Sequence, residues 1–186
     1  MIRAEEATAV SPHAMLRRAM PAPSPPQLTH LDAAGEAHMV QVGDKVETSR
    51  RAVASARVCT TPETVAAIAA GSLPKGDVLA VARVAGILAA KRTPELVPLC
   101  HPVRTTSAAL ELELDPAAGE VHVRATIEAV DRTGVEMEAM VAVTIASLTV
   151  YDMIKSADRW ATLEGVRLET KSGGKSGEVS RPAQRS

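Results

Sequence analysis

Three features of this sequence predict an α+β fold, with an antiparallel sheet covered by helices on one face. A hairpin of unusually clean alternation lies near the middle of the chain. Helical segments that are apolar almost all round stand on either side of it. The elements follow in the order β, helices, β, β, helix, β, without an internal repeat. That order is the split β-α-β pattern, so the expected architecture is a sandwich of the ferredoxin-like kind.

Each element has its own signal. Residues 38–42 and 49–60 have strand character, the second alternating Ala and Val with polar side chains. Thr61-Pro62-Glu63 opens a short helix to about Gly71, with Thr61 as N-cap and Pro62 in the first turn. A second helix, 77–92, has Asp77 as its N-cap and stops before Pro94. In the hairpin, Leu110, Leu112 and Leu114 share one face while Glu111 and Glu113 take the other. Asp115-Pro116-Ala117-Ala118-Gly119 makes the turn. Val121, Val123, Ala125, Ile127 and Ala129 then return opposite His122, Arg124, Thr126 and Glu128. One sheet face is therefore covered by helices, and the other meets solvent or a partner. Thr133-Gly134-Val135-Glu136 fits a capping box at the start of a long helix to about Lys155. A last strand, 162–170, leads into a Gly-rich loop. Residues 1–27, with Pro21-Ala22-Pro23-Ser24-Pro25-Pro26, read as a disordered Pro-rich arm. Residues 28–177 form one domain, and 178–186 a flexible tail.

Composition narrows the function. The chain has 186 residues and is 46% apolar, yet it holds no Phe, one Trp and one Tyr. Its core must be built from Ala, Val, Leu, Ile and Met, which supply little area each, so burial between subunits is a natural supplement. A net charge of −1 argues against nucleic acid, and the missing aromatics remove the platform for stacking single-stranded bases. Two cysteines, Cys59 and Cys100, make no disulfide framework. No apolar run reaches the length of a membrane span and no secretory signal opens the chain. The expected compartment is the cytoplasm.

The last third concentrates charge inside apolar sequence, where each ionisable group needs a partner or a task. On the long helix, Glu138 and Asp152 lie within about 40° around the axis, with Lys155 about 60° further on, but Glu138 and Asp152 are roughly 21 Å apart along it. The two ends cannot meet around one small ligand in one chain. Other segments, or a neighbouring copy, must complete each site. Asp152 and Lys155, one turn apart, can pair. That pair also reads as a plain surface contact, and Glu136 as a helix-capping group; Glu138 has no such structural excuse. Lys75 stands just before a helix entrance, where anions bind well. His101, in Leu99-Cys100-His101-Pro102, reads as a hydrogen-bonding or acid/base residue. A metal site is not expected, since Cys100 and His101 are adjacent and no second ligand pair has the right spacing. Lys171-Ser172-Gly173-Gly174-Lys175-Ser176-Gly177 is not a P-loop: Glu169 stands where the first Gly belongs, and little chain remains for a helix. It reads either as a cationic wrap for a phosphate or as a solvated tail. The lysines suit acid/base work as well, because burial or a nearby cation lowers a lysine pKa. The residues by themselves lead to an oligomeric enzyme acting on a small phosphorylated substrate. A phosphotransferase and a non-catalytic interaction protein remain the alternatives.

These motifs occur in register with a known pattern. Leu28-Thr29-His30, Gly35-Glu36-Ala37-His38-Met39-Val40, Lys75-Gly76-Asp77, Pro98-Leu99-Cys100-His101-Pro102, Thr133-Gly134-Val135-Glu136-Met137-Glu138-Ala139, Tyr151-Asp152-Met153 with Lys155, and the Gly-rich loop follow one another. Over residues 28–177 the chain resembles the molybdenum cofactor biosynthesis protein C family, the cyclic pyranopterin monophosphate synthases. The resemblance implies a homohexamer, a trimer of dimers, with each active site at a subunit interface. The implied reaction converts (8S)-3′,8-cyclo-7,8-dihydroguanosine 5′-triphosphate to cyclic pyranopterin monophosphate and diphosphate. By the same resemblance Lys75 and Lys155 are the acid/base lysines and Asp152 positions and polarises its neighbour. Leu99, Cys100 and His101 line the pocket. Glu136, Met137 and Glu138 hold the purine and ribose end, and Lys171, with Lys175, meets the triphosphate. No resident cofactor is implied, and Mg²⁺ enters at most with the triphosphate.

Overall fold

The central strand, β1 (Thr48–Cys59), organises everything around it. In the computed structural model, which describes residues 36, 39 and 41–182, β1 pairs with β3 (Glu120–Asp131) on one side and β4 (Thr162–Ser172) on the other. β2 (Thr105–Asp115) flanks β3, and a short β5 (Val179–Ser180) flanks β4. The sheet order is β2-β3-β1-β4-β5, antiparallel throughout. With the helices between β1 and β2 and between β3 and β4, this is an α+β fold consistent with a ferredoxin-like arrangement.

Alternation decides which face is covered. Ala52, Ala54, Ala56 and Val58 of β1 are buried with Leu110, Leu112, Val121, Val123, Ala125, Ile127 and Ala129. The opposite parity carries Arg51, Ser55, Arg57, Glu111, Glu113, His122 and Arg124. Three successive alanines on β1 leave room for a helix to lie close, and α4 (Glu136–Ile154) packs across β1, β3 and β4. It buries Ala139, Ala142, Val143, Ala146 and Val150. By length and composition alone α4 could cross a membrane, yet half of its most apolar window is buried inside the fold. It is apolar all round because the sheet covers one side and α2 (Val78–Lys91) another.

Gly86 sets how near α2 and α4 come. A Cβ there would lie 2.9 Å from the Ala142 carbonyl oxygen and 3.2 Å from the Ala146 Cβ, and would run into Leu110. The caps hold the helices as the sequence predicts. Thr61 Oγ1 accepts from the Thr64 N–H at 3.2 Å at the start of α1 (Pro62–Ala69), and Asp77 Oδ1 accepts from the Ala80 N–H at 2.9 Å. The chain leaves α2 through a single turn, α3 (Thr93–Leu96), whose Thr93 hydroxyl donates to the Ala90 carbonyl at 3.0 Å. At the hairpin turn Gly119 has φ +69°, a conformation that costs other residues strain. Its carbonyl accepts from the Thr60 N–H at 2.8 Å.

Three expectations are corrected. The capping box does not form: the N-cap of α4 is Val135, with no side-chain hydrogen bond, and Thr133 lies outside the helix. The strand expected over 38–42 is absent at Met39, Gln41 and Val42, while positions 38 and 40 lie outside the described residues. Order runs past the Gly-rich loop, because Val179–Ser180 pairs with Lys171 and Thr170, and the Arg181 N–H reaches the Glu169 carbonyl at 2.7 Å. The arm over 1–27 lies outside the described residues.

Candidate active site

Two charged groupings lie toward opposite ends of α4. At its C-terminal end, Asp152 holds two ammonium groups at once. Lys155, one turn on, reaches Asp152 Oδ1 at 2.8 Å. Lys75, from the loop before α2, reaches Oδ2 at 2.6 Å and also donates to the Asp152 backbone carbonyl at 2.8 Å. The i,i+3 spacing predicts the first contact. The second needs the tertiary fold, which lays the entrance of α2 beside the end of α4. All three side chains are about half exposed. The Lys155 ammonium, with Lys75 beside it, pulls the Asp152 carboxyl down to about 2. In return the carboxylate raises Lys155 above the ordinary lysine value. This reverses the expected direction: the pairing keeps the Lys155 ammonium charged and does not bring it toward neutrality.

Beyond the other end of α4 lies an open basin of about 570 Å³. Lys45, Arg50, Arg132, Lys171 and Lys175 line it, with Thr133, Gly134, Glu136, Ser172, Gly173 and Ser176. Five cations face one carboxylate. The Gly-rich turn makes the crowding possible, because Gly173 and Gly174 have φ +94° and +70°, and a Cβ on either would collide with β1. At Gly173 the obstacle is the Ser49 carbonyl, and at Gly174 the Arg50 guanidinium. Arg50 is fixed in turn, donating from Nε to the Asp131 carbonyl at 3.1 Å and from Nη2 to the Arg132 carbonyl at 3.2 Å. Lys171 Nζ donates to Ser176 Oγ across the same turn. The loop is thus a built edge of the basin. β5 follows it and no helix does, so the P-loop reading fails in structure as well. Anchored cations facing one opening suit a polyanion.

Between these groupings Glu138 is buried in the first turn of α4, 1% exposed. Its Oε1 accepts from the Cys100 thiol at 3.8 Å, and its Oε2 has no partner. Burial pushes the Glu138 carboxyl up, and burial with Glu138 alongside pushes the Cys100 thiol up to about 11. Cys100 is therefore a hydrogen-bonding thiol and no nucleophile at neutral pH. Leu99 and Met137 are exposed, and His101 is half-buried next to Cys100.

A second depression, about 530 Å³, opens on the uncovered sheet face. Its lining sets three arginines, Arg57, Arg124 and Arg167, against three carboxylates, Glu111, Glu113 and Glu169, and Arg167 pairs with Glu169 at 2.7 Å. Without an excess of either sign it has no claim on a charged ligand.

The structure brings Lys75, Asp152 and Lys155 together. It separately places Glu136, Lys171 and Lys175 on the basin, and Cys100 on Glu138. Among the described residues the basin's lining omits Leu99, Cys100, His101, Met137 and Glu138. Lys45, Arg50 and Arg132 were not legible as site residues. Arg50 had a signal, since it shares the parity of Ala52 and Ala54 and so places a cation on the helix-covered face at the strand's end.

Fold and charge together define the class: an α+β protein that carries a carboxylate-held lysine pair at one end of α4 and a cation-lined basin at the other. The MoaC family model matches residues 39–174, and the chain belongs to that family. It is 56% identical over 156 residues to the cyclic pyranopterin monophosphate synthase of Chloroflexus aurantiacus, covering 84% of this chain and 96% of that protein. The protein of the same name from Roseiflexus castenholzii is 55% identical over 152 residues, 82% of this chain and 96% of its own length. That from Nostoc sp. is 52% identical over 156 residues, 84% and 93% respectively.

Proposed function

We propose that this chain is an enzyme of molybdenum cofactor biosynthesis that converts (8S)-3′,8-cyclo-7,8-dihydroguanosine 5′-triphosphate to cyclic pyranopterin monophosphate and diphosphate. Its support is a near full-length likeness to proteins of that activity, joined to one geometric fact. Asp152 holds Lys75 and Lys155 on its two carboxylate oxygens, 2.6 and 2.8 Å away.

The triphosphate end seats in the basin, where Arg50, Arg132 and Lys171 are held by hydrogen bonds before the ligand arrives and the exposed Lys175 stands beside them. Preset charge costs no reorganisation as the diphosphate departs. Lys75 and Lys155 serve as the acid/base pair, and Lys155, held charged by Asp152, first donates a proton and afterwards acts as a base. Asp152 keeps both lysines in place. Glu136, Met137 and Glu138, with Leu99, Cys100 and His101, hold the base and ribose.

Because α4 separates the lysine pair from the basin, each site draws one end from a neighbouring copy. The assembly is a homohexamer, a trimer of dimers, acting in the cytoplasm. Supporting an assembly, Val81, Val84 and Leu88 form an exposed apolar stripe on α2, with Leu148 exposed on α4. No resident cofactor is required, and Mg²⁺ would come only with the triphosphate.

Incubation with the cyclised GTP precursor tests the reading directly. Diphosphate and cyclic pyranopterin monophosphate should appear together. Lys75→Ala and Lys155→Ala should each abolish turnover while leaving the assembly intact by sedimentation. Near-normal turnover by either variant would refute its assigned role.

A further inference from the structure

The Gly-rich loop contains Gly173, Gly174 and Gly177, at φ +94°, +70° and +61°. Glycine loses more conformational freedom on ordering than any other residue, so both ends of such a loop must be held. β1 holds the incoming end, where Lys171 lies opposite Ala52 and Ser172 opposite Arg51. The outgoing end has only β5, whose two residues pair with Thr170 and Lys171. Pairing that short is marginal by itself.

Arg181 supplies the missing hold. Its backbone N–H donates to the Glu169 carbonyl at 2.7 Å, and its Nε donates to the Leu168 carbonyl at 3.0 Å. The same Nε stands 3.8 Å from Glu169 Oε2. Glu169 is anchored in turn, since its Oε1 accepts from Ser55 Oγ of β1 at 2.5 Å and from Arg167 Nε at 2.7 Å. One carboxylate thus joins β1, β4 and the residue that follows β5. Glu169 lines the depression on the uncovered face, whereas Lys171, Lys175 and Ser176 line the basin. Arg181 is not in the basin's lining, so any effect it has on a ligand there passes through the loop.

We propose that Arg181 is a positioning residue for the basin: it locks β5 onto β4, and so holds Lys175 and Ser176 at the opening. Ser176 in turn accepts from the Lys171 ammonium. The identity of the polyanion rests on the proposed function; the ordering of the loop by Arg181 does not.

Two measurements on the full chain test the two halves. Amide hydrogen exchange reads local opening, and calorimetric titration with inorganic diphosphate reads the basin without any turnover. In Arg181→Ala, exchange over 173–177 should speed up by about three- to tenfold, the scale of one lost hydrogen bond, while β1 and β3 keep their protection. Diphosphate should bind more weakly by a similar factor, and Arg181→Lys, which keeps a cationic donor, should recover most of both. With the cyclised precursor, KM should rise while kcat stays within about twofold of wild type. Unchanged exchange over 173–177 would overturn the lock, as would exchange that quickens equally in β1, β3 and the loop. A faster loop with unaltered diphosphate affinity would overturn the positioning role. A wild type that does not bind diphosphate at all would remove the basin as a polyphosphate seat and the positioning role with it, but exchange would still decide the lock. Should Arg181→Ala unfold, Glu169→Gln weakens the same contact from the other side, and a loop indifferent to it overturns the proposal.

Discussion

Lys75 donates to Asp152 twice, at 2.6 Å to the side chain and 2.8 Å to the backbone carbonyl. The double contact ties the entrance of α2 to the last turn of α4, and makes one carboxylate the hinge of a two-lysine arrangement. Asp152→Asn should therefore act through its partners. We expect Lys155 to titrate lower, turnover to fall by on the order of 10²-fold or more, and the melting temperature to change little, since exposed pairs contribute little stability. NMR titration of the lysine ammonium groups beside product assays would check this. Unchanged turnover would remove Asp152 from the mechanism.

Asp152 and Glu138 make opposite demands on pH. Asp152 is held at about 2 in the fold, below its unfolded value of about 3.9. Its contribution to stability is present above about pH 4 and is lost as pH falls toward 2. Glu138 is raised in the fold, so the native state keeps a proton that the unfolded chain releases above about pH 4.3. Stability must then fall as pH rises from there toward the folded pKa. Denaturant titrations at a series of pH values should show wild type losing stability relative to Glu138→Gln as pH rises above the unfolded value of about 4.3 toward the raised folded one. A constant difference between the two proteins would contradict the burial argument.

Much of the fold was legible because alternation and caps are local. β2 and β3, the parity of their faces, Thr61 and Asp77 all follow from residues a few positions apart. The Asp152–Lys155 contact is equally local. What escaped depends on distant segments. Arg50 and Arg132 belong to the basin only because β1 pairs with β3, and Lys45 only because its loop folds toward them. The capping box failed because Val135 takes the N-cap position and Glu136 the first helical one, which leaves Thr133 two residues outside. Glu138 stood out in the sequence as a charge without a structural task, but its complete burial could not be inferred from the one-dimensional pattern.

Gly86 offers a test of packing away from the chemistry. A side chain there must displace Leu110 or push α2 off α4 at the Ala142 carbonyl. Gly86→Val should cost about 1–3 kcal/mol, typical of overpacking a filled core, measured by urea denaturation with an unchanged m-value. Gly86→Ala gains up to about 1 kcal/mol of helix propensity and should lose more than that to the clash. A stabilised Gly86→Ala would mean that the two helices have slack.

Gly174 is the sharper probe of the basin. Its φ of +70° costs a residue bearing a Cβ about 1–2 kcal/mol, and that Cβ would occupy the space of the Arg50 guanidinium. Arg50 is held by the carbonyls of Asp131, at the end of β3, and Arg132, just beyond it, so the loop must yield before the arginine does. Gly174→Ala should carry Lys171 and Lys175 away from Arg50 and Arg132, while the Lys75–Asp152–Lys155 group, toward the far end of α4, stays as it was. The loss should fall on KM, on the order of tenfold, because each 1.4 kcal/mol is one decade, with kcat within a few-fold of wild type. Inhibition by added diphosphate should weaken in parallel. A variant that lost kcat and kept KM would place the Gly-rich loop at the reacting bonds and move the polyphosphate elsewhere.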